Sequence, residues 1–189
     1  MEPGIKSILK DEKEDLIVEY FRREIVSERS FLSAVILYNS GIRCGYIGIN
    51  RRYIPSLKKL SIFPKDYSTD VDLNCHGGIT YHEKYSTFIR KENIQQFNEY
   101  RWIGYDCGHI QDRRDFDKVE KIWPNSYYIY NRSQLSFWER GQLRTTNYCI
   151  EQNRHLIGQL YFALKSQILK STKSSFEAIC RWPARSFLQ

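Results

Sequence analysis

Three of the four histidines fall in two short blocks that contain glycine, residues 74–82 and 104–112. The titratable side chains of interest in these blocks are His76, His82, Asp106, His109 and Asp112. A histidine pair with carboxylates can take up one proton and deliver another, which is what acid–base cleavage of a phosphoester requires. The same residue types could instead hold a divalent metal ion that polarises a phosphate. The two blocks are therefore the first place to look for chemistry.

Strand alternation decides which of these side chains share a face. The histidines of the first block lie an even number of residues apart in and beside a predicted strand over 71–81, so they point the same way. If a second predicted strand over 101–109 pairs with the first, Asp106 can face the same side. The alternative is a purely structural role, in which the histidines hydrogen-bond inside a buried hairpin and Asp106 caps a turn.

These considerations assign roles to named residues. We predict His76 and His109 as the catalytic acid–base pair, with Asp106 orienting a histidine and fixing its tautomer. Cys107 is an alternative nucleophile because it lies beside His109, although its apolar setting favours a buried thiol. The predicted ligand-binding residues are Gly77, Gly78, Thr80, His82, Tyr105, Asp112, Trp102 and Arg51.

The spacing of apolar residues predicts the elements that position these groups. They are a helix over 11–28, strands over 31–38 and 42–49 joined by the turn Asn39-Ser40-Gly41, a basic loop or short helix over 50–70, irregular chain over 110–144 and a long helix over 145–169. The predicted fold is α+β, a mostly antiparallel sheet flanked by an N-terminal and a long C-terminal helix. We predict one domain over 1–170 and a basic, loosely ordered tail over 171–189.

Length and composition exclude several classes of protein. The 189 residues suit one domain, and 41% apolar residues suffice for a core. The longest apolar run, residues 34–37, is far shorter than the roughly 20 residues of a membrane span. Five cysteines without a C-x-x-C pair argue against a disulfide framework or a zinc knuckle. We expect a soluble protein of the cytoplasm with no membrane partner.

The positive charge is concentrated near the C-terminus. Of a net charge of +7, nearly all lies in residues 140–189, where eight Lys and Arg face two Glu. A solvated helix face with a loose tail is the first explanation of this distribution, and an anionic partner such as a nucleotide, a nucleic acid or an acidic protein surface is the alternative.

Several segments together resemble a known family. They are Cys44-Gly45-Tyr46-Ile47-Gly48-Ile49, His76-Gly77-Gly78-Ile79-Thr80-Tyr81, Trp102-Ile103-Gly104-Tyr105-Asp106-Cys107-Gly108-His109 with Asp112, and Tyr148-Cys149-Ile150-Glu151. They are similar to a small family of phage and prophage proteins with the patterns C-G-Y-V, V-H-G-G-L-T-Y and W-W-x-G-F-D-C-A-H-x-x-D, followed by a helix with Y-V-x-x-E. The resemblance covers residues 34–112 and 145–160. The family's H-P-L-Y-G-like segment is replaced here by Tyr53-Ile54-Pro55-Ser56-Leu57.

The resemblance implies a mobile-element protein that acts in a bacterial cytoplasm. Together with the histidine blocks it predicts a phage-type counter-defence protein that binds and hydrolyses a nucleotide-derived, cyclic nucleotide-like immune signal. Two alternatives stay open: a non-catalytic sponge for such a signal, and an inhibitor that binds a host protein or nucleic acid through the basic C-terminal region. A homo-oligomer is expected, because symmetric interfaces commonly complete small sites. A divalent metal is the one candidate cofactor.

Overall fold

The computed structural model describes residues 15–59, 73–83, 88–89, 95 and 97–180. Its strands are β1 (Leu16–Val26), β2 (Arg29–Tyr38), β3 (Arg43–Asn50), β4 (Tyr81–Glu83), β5 (Tyr100–Asp106), β6 (Asp112–Arg113) and β7 (Gln142–Leu143). Its α-helices are α1 (Ile54–Lys59), α2 (Phe116–Ile122), α3 (Tyr127–Tyr130) and α4 (Thr146–Cys180), with 3-10 turns at Arg51–Tyr53 and Ser136–Glu139. Residues 60–70 of the loop or short helix predicted over 50–70, and residues 181–189 of the predicted tail, lie outside the described residues.

Five strands form one sheet in the order β1-β2-β3-β5-β4, and every neighbouring pair is antiparallel. Helix α4 packs on one face of this sheet, and its contacts are with β1, β2 and β3. The predicted α+β fold, with a mostly antiparallel sheet and a long C-terminal helix, is therefore confirmed. None of the described helices combines the length and the apolar character that crossing a bilayer requires.

The two central strands form the hairpin that the sequence predicts. Residues 31–37 of β2 are all buried, because α4 covers one face of the strand and a second apolar cluster covers the other. A strand that is covered on both faces has a continuous run of apolar residues in its sequence. The turn closes with a hydrogen bond from the Tyr38 N–H to the Ile42 carbonyl at 3.0 Å, and Gly41 supplies the positive φ of 81° that it needs.

Helix α4 follows its predicted boundaries at the N-terminus and continues beyond them at the C-terminus. The Tyr148 N–H donates to Thr145 Oγ1 at 3.2 Å, so Thr145 caps the helix. The buried positions of α4 recur at helical spacing, at Cys149, Asn153, Leu156, Ile157, Leu160 and Leu164. The helical backbone extends to Cys180, within the segment predicted as a tail.

The helix predicted over 11–28 is wrong for the residues that the structure describes, because 16–26 form strand β1. A β-bulge between Val18 and Tyr20 shifts the register by one residue at Glu19. Leu16 and Phe21, five residues apart, therefore reach the same core. The bulge gives the strand a spacing of apolar residues that resembles that of a helix. The short α-helix nearest the N-terminus among the described residues is α1, Ile54–Lys59.

The prediction of a strand over 71–81 is also wrong for residues 73–80, which the structure describes. Residues 73–80 form a loop with a turn at His76-Gly77, and β4 begins only at Tyr81. Gly77 and Gly78 have φ values of 65° and 82°, which an extended strand does not allow. The strand predicted over 101–109 is confirmed as β5 up to Asp106, and a turn follows it. The predicted irregular chain over 110–144 contains α2, α3 and the short parallel pair β6 and β7.

A buried ion network joins β1, β3, α2 and the start of α4. The Arg43 side chain is 4% exposed, and its Nε and Nη2 lie 2.6 Å from carboxylate oxygens of Glu19 and Asp115 respectively. Glu19 also accepts from Lys118 Nζ at 2.5 Å and from Thr146 Oγ1 at 2.7 Å. Burial raises the pKa of Glu19, but its bonds to Arg43 and Lys118 outweigh burial and hold the pKa below its ordinary value. Arg43 and Glu19 are thus paired away from water, whereas Lys118 contacts Glu19 from a side chain that is partly exposed.

Replacement of Arg43 by methionine leaves Glu19 and Asp115 without their shared cation. Loss of one member of a buried ion pair costs about 3–5 kcal/mol, so we expect Arg43→Met to lower the free energy of unfolding by that amount. Urea denaturation measures it. Arg23→Met on the exposed part of β1 is the matched control, with an expected change within about 0.5 kcal/mol. Equal stability of the two variants would contradict the role of the network.

Candidate functional site

His76, His109 and Asp112 meet at one point beside the N-terminal part of α4. His76 lies in the loop before β4, His109 in the turn after β5, and Asp112 at the start of β6. One ligand atom of each residue lies within 4.8 Å of those of the other two. The two imidazole ring centroids are 5.2 Å apart. The sequence blocks that contain these residues are therefore brought together as predicted, although His76 and His109 lie in a loop and a turn and not on the paired strands β4 and β5.

Asp112 is the centre of this cluster and is 1% exposed. Its Oδ2 lies 2.6 Å from His76 Nε2 and accepts from the His109 backbone N–H at 3.2 Å, and its Oδ1 accepts from Arg144 Nε at 2.7 Å. Burial raises the pKa of the Asp112 carboxyl, but the hydrogen bonds from Arg144 and His76 outweigh burial and lower the pKa below its ordinary value. The group is therefore an ionised carboxylate at neutral pH.

The ionised carboxylate determines the tautomer of a neutral His76 ring. A carboxylate only accepts, so Nε2 of His76 carries the hydrogen and donates it. Nδ1 then accepts from the Tyr148 hydroxyl, whose oxygen lies 3.0 Å away. Burial raises the pKa of Tyr148, so its hydroxyl is protonated and able to donate. The result is a chain of hydrogen bonds from Tyr148 through His76 to Asp112, of the kind that orients a catalytic or metal-binding imidazole.

His109 differs from His76 because one of its ring nitrogens has no partner. Its Nε2 is buried and makes no hydrogen bond to any residue that the structure describes. The ring rests on Gly77, where a Cβ atom would lie 1.6 Å from this nitrogen. An unpartnered buried nitrogen is destabilising unless something else binds it. His109 is therefore the group in the cluster with capacity for a ligand or a metal ion.

Two glutamine side chains of α4 hold the loop that carries His76. The Gln152 Oε1 accepts from the His76 backbone N–H at 3.1 Å. Gln159 bonds Asn74 twice, accepting from its N–H at 2.8 Å and donating to its carbonyl at 2.7 Å. These bonds replace the strand pairing that the sequence predicts for the loop, so helix α4 rather than a neighbouring strand positions His76.

The residues beneath the cluster are structural. Cys107 Sγ and Cys149 Sγ lie 3.7 Å apart, and both residues are buried. Contact with Cys149 and burial raise the pKa of the Cys107 thiol, which removes the thiolate that a nucleophile needs. Tyr105 is 1% exposed and donates its hydroxyl hydrogen to the Cys149 carbonyl at 2.9 Å. Cys107 and Tyr105 thus belong to the core that supports the site.

Asp106, predicted to orient a histidine, is not brought to the cluster. Its Oδ1 accepts from the Gly108 N–H at 2.9 Å, so it caps its own turn. Alternation along β5 places Asp106 on the face opposite Tyr105, and Tyr105 faces α4. Asp112, and not the predicted Asp106, is the carboxylate that contacts the His76 imidazole.

The other predicted ligand residues lie at varied distances from the cluster. Trp102 is 1% exposed and packs in the second core, where its ring centroid lies 5.1 Å from that of Phe88. His82 lies on β4 opposite Ile103, outside the cluster. Gly78 and Thr80 are in the loop of His76, where the Thr80 N–H donates to the Gly104 carbonyl.

Arg51 follows the last residue of β3, whereas the cluster lies near the first residue, Arg43. The eight residues of the strand separate the two places by about 25 Å. Arg51 therefore cannot share a small ligand with His76.

Sequence reasoning missed two residues of the site, Arg144 and Tyr148. The Arg144 guanidinium carbon lies 4.7 Å from the centroid of the Tyr148 ring while its Nε holds Asp112, and its Nη1 donates to Gln142 Oε1 at 2.7 Å. The bond to Asp112 raises the pKa of Arg144, so the cation is permanent. The resemblance includes Tyr148 in a motif but gives it no role in the site, and nothing in the local sequence distinguishes Arg144 from the other basic residues near the C-terminus.

The cluster can perform two kinds of chemistry. Two imidazoles beside a carboxylate can move protons, and two imidazoles with one carboxylate form a three-ligand set of the kind that leaves positions of a catalytic metal open. Arg144 and Tyr148 lie in the second layer, where such partners orient the ligands. Comparisons of the chain with family models, with curated proteins and with solved structures find no match.

The two adjacent glycines of the loop provide a matched test of the His109 position. Both have positive φ, but only Gly77 lies against the imidazole, and a Cβ at Gly78 would meet nothing within 4 Å. We expect Gly78→Ala to lose about 1–2 kcal/mol from backbone strain. We expect Gly77→Ala to lose about 1–3 kcal/mol more from overpacking, with displacement of the His109 ring. Thermal denaturation and histidine ring NMR shifts measure both effects, and identical behaviour of the two variants would contradict the contact.

The lowered pKa of Asp112 predicts a pH dependence of stability. A carboxyl with a lower pKa in the folded state stabilises the fold above its unfolded value of about 3.9 and loses that contribution as the pH falls through the native value. We therefore expect the stability difference between the wild type and Asp112→Asn to be largest at neutral pH and to shrink below about pH 4. Urea denaturation from pH 7 to pH 2 measures it, with Asp106→Asn as the control for removal of a carboxylate outside the cluster. A constant difference across this range would refute the assignment.

Proposed function

We propose that this protein is a divalent-metal-dependent hydrolase of a nucleotide phosphoester, with His76, His109 and Asp112 as its metal ligands. The observation that carries the proposal is the approach of three ligand atoms to within 4.8 Å, one of them from a histidine with an unpartnered buried nitrogen. Neutral imidazole and carboxylate suit first-row ions such as Zn²⁺ and Mn²⁺. The contact between His76 Nε2 and Asp112 Oδ2, 2.6 Å, opens by less than about 1 Å to make two metal ligands with bonds near 2.0–2.1 Å.

An ion bound at His76 Nε2 would require the neutral tautomer in which the single ring N–H hydrogen lies on Nδ1 instead of Nε2. In that tautomer Nδ1 would donate a hydrogen bond to the Tyr148 hydroxyl oxygen, 3.0 Å away. The Tyr148 hydroxyl can therefore bond either tautomer of His76. It donates to Nδ1 when no ion is bound and would accept from the Nδ1 hydrogen when an ion is bound. Three protein ligands leave a position for water or a phosphate oxygen, and a bound water becomes a nucleophile near neutral pH.

The charge around the site favours an anionic substrate. A divalent ion with one carboxylate and two neutral imidazoles carries a net charge of +1, and Arg144 adds a second positive charge beside Asp112. Such a field attracts a phosphoester and stabilises the charge that develops on its oxygens during attack. The phage resemblance supports a nucleotide-derived immune signal as the substrate, so the proposed biological role is counter-defence in a bacterial host.

Product analysis by HPLC tests the activity. Protein loaded with Zn²⁺ or Mn²⁺ is incubated with cyclic di- and trinucleotides and with nucleotides derived from NAD, and each mixture is analysed before and after heat denaturation. We expect a new product peak that EDTA abolishes and that His109→Ala reduces at least about 100-fold. His155→Ala, which removes an exposed histidine of α4, is the matched control and should retain full activity.

Two other results would overturn the proposal. A ligand that disappears into the protein and returns unchanged after heating would identify a sponge, with the histidines as contacts. No change in any compound would exclude both nucleotide functions for that panel and favour a host protein or nucleic acid as the target, approached through the basic C-terminal region.

A further inference from the structure

A cavity lies at the opposite end of β3 from the histidine cluster. Its volume is about 380 Å³, and its lining residues are Arg51, Ile54, Pro55, Lys58 and Arg101. The volume falls in the range of small-molecule sites and greatly exceeds that of a lone inorganic anion. Ile54 and Pro55 supply an apolar wall, and the other three residues supply positive charge. The cavity therefore has the mixed lining of a site for an organic anion.

The three cations of the cavity lack partners in the part of the chain that the structure describes. Among the described residues, no ion pair involves the side chain of Arg51, Lys58 or Arg101. The arginines elsewhere in the core differ, since Arg43 and Arg144 each hold a carboxylate. Three unpaired cations around one cavity repel one another, and a dianion between them removes that repulsion.

Arg51 gives the most specific indication of a ligand. Its Nε and Nη2 are both buried, and neither donates a hydrogen bond to any described residue. These two nitrogens form the edge of the guanidinium that binds two oxygens of a phosphate or carboxylate side by side. A buried donor pair without an acceptor is destabilising, so rotation of the side chain toward an anion in the cavity that it lines is favourable.

Local backbone contacts set the position of Arg51 and Arg101. The Arg51 N–H donates to the Glu99 carbonyl at 2.6 Å, which fixes the chain as it leaves β3. Arg101 lies opposite Ile49 in the β3–β5 ladder, so its side chain leaves the sheet on the face that α4 covers. The Glu99 carboxylate accepts from the Asn50 amide at 3.2 Å and does not line the cavity.

We propose that this cavity binds a small phosphomonoester. Arg51 is the bidentate ligand of the phosphate, and Lys58 and Arg101 neutralise its charge. Ile54 and Pro55 contact the organic group. A phosphomonoester carries up to two negative charges at neutral pH, which three cations can neutralise. The site is about 25 Å from the histidine cluster and does not depend on the function proposed for that cluster.

Titration of ¹⁵N-labelled protein with AMP tests the proposal by NMR. We expect saturable shifts of the amides of Arg51, Lys58 and Arg101, weaker binding of inorganic phosphate, and no binding of adenosine. Arg51→Gln and Arg101→Gln should each raise the Kd at least about tenfold, because each removes a charge-assisted hydrogen bond. Arg23→Gln, an exposed arginine of β1, should leave the Kd unchanged, as should His76→Ala.

The exposed side chain of Lys58 provides a variant that leaves the core intact. Lys58→Gln should raise the Kd several-fold even if an arginine variant fails to fold. The proposal is overturned if neither AMP nor phosphate gives saturable shifts at this end of β3. It is equally overturned if Lys58→Gln binds AMP as tightly as the wild type, or if His76→Ala abolishes the binding, which would assign it to the histidine cluster.

Discussion

The burial of one guanidinium, that of Arg43, organises the end of the sheet where the histidine cluster lies. A buried cation is tolerated only when carboxylates and carbonyls surround it, so β1, α2 and the start of α4 must all converge on β3. The third nitrogen of Arg43 donates to the Arg144 carbonyl at 3.2 Å, and the side chain of Arg144 in turn holds Asp112. Arg144 thus belongs both to the buried ion network and to the histidine cluster. The position of the Asp112 side chain therefore depends on the packing around Arg43.

Helix α4 supplies the other half of the positioning. Tyr148 orients the His76 ring, whereas Gln152 and Gln159 fix the backbone of its loop. One rigid element therefore determines where His76 lies, and the turn after β5 determines where His109 lies. A site held in this way is pre-organised, which is what acid–base or metal chemistry requires. The basic cavity is lined instead by residues of α1, of the start of β5 and of the turn after β3, so the two clusters of polar side chains lie at opposite ends of one strand.

The sequence predicts those features that depend on local periodicity, and the remainder depends on long-range contacts. The β2–β3 hairpin and α4 follow from an apolar run around a turn and from helical spacing, respectively. Strand β1 is missed because the bulge at Glu19 changes its period, and the Glu19 carboxylate at this bulge pairs with Arg43. The loop of His76 is missed because its backbone partners are glutamines more than seventy residues away. His76, His109 and Asp112 are singled out by their positions in two short glycine-containing blocks, whereas Arg144 is recognised only in the folded chain.

Titration of the protein with Co²⁺, followed by visible absorption, tests most directly whether the three residues act as one metal centre. The account predicts one ion bound per chain, with d–d bands of a low-coordinate site that contains nitrogen and oxygen ligands. His109→Ala should abolish these bands, whereas Asp106→Asn, which removes a carboxylate outside the cluster, should leave them unchanged. Absence of stoichiometric binding by the wild-type protein, or bands that persist in His109→Ala, would contradict the account.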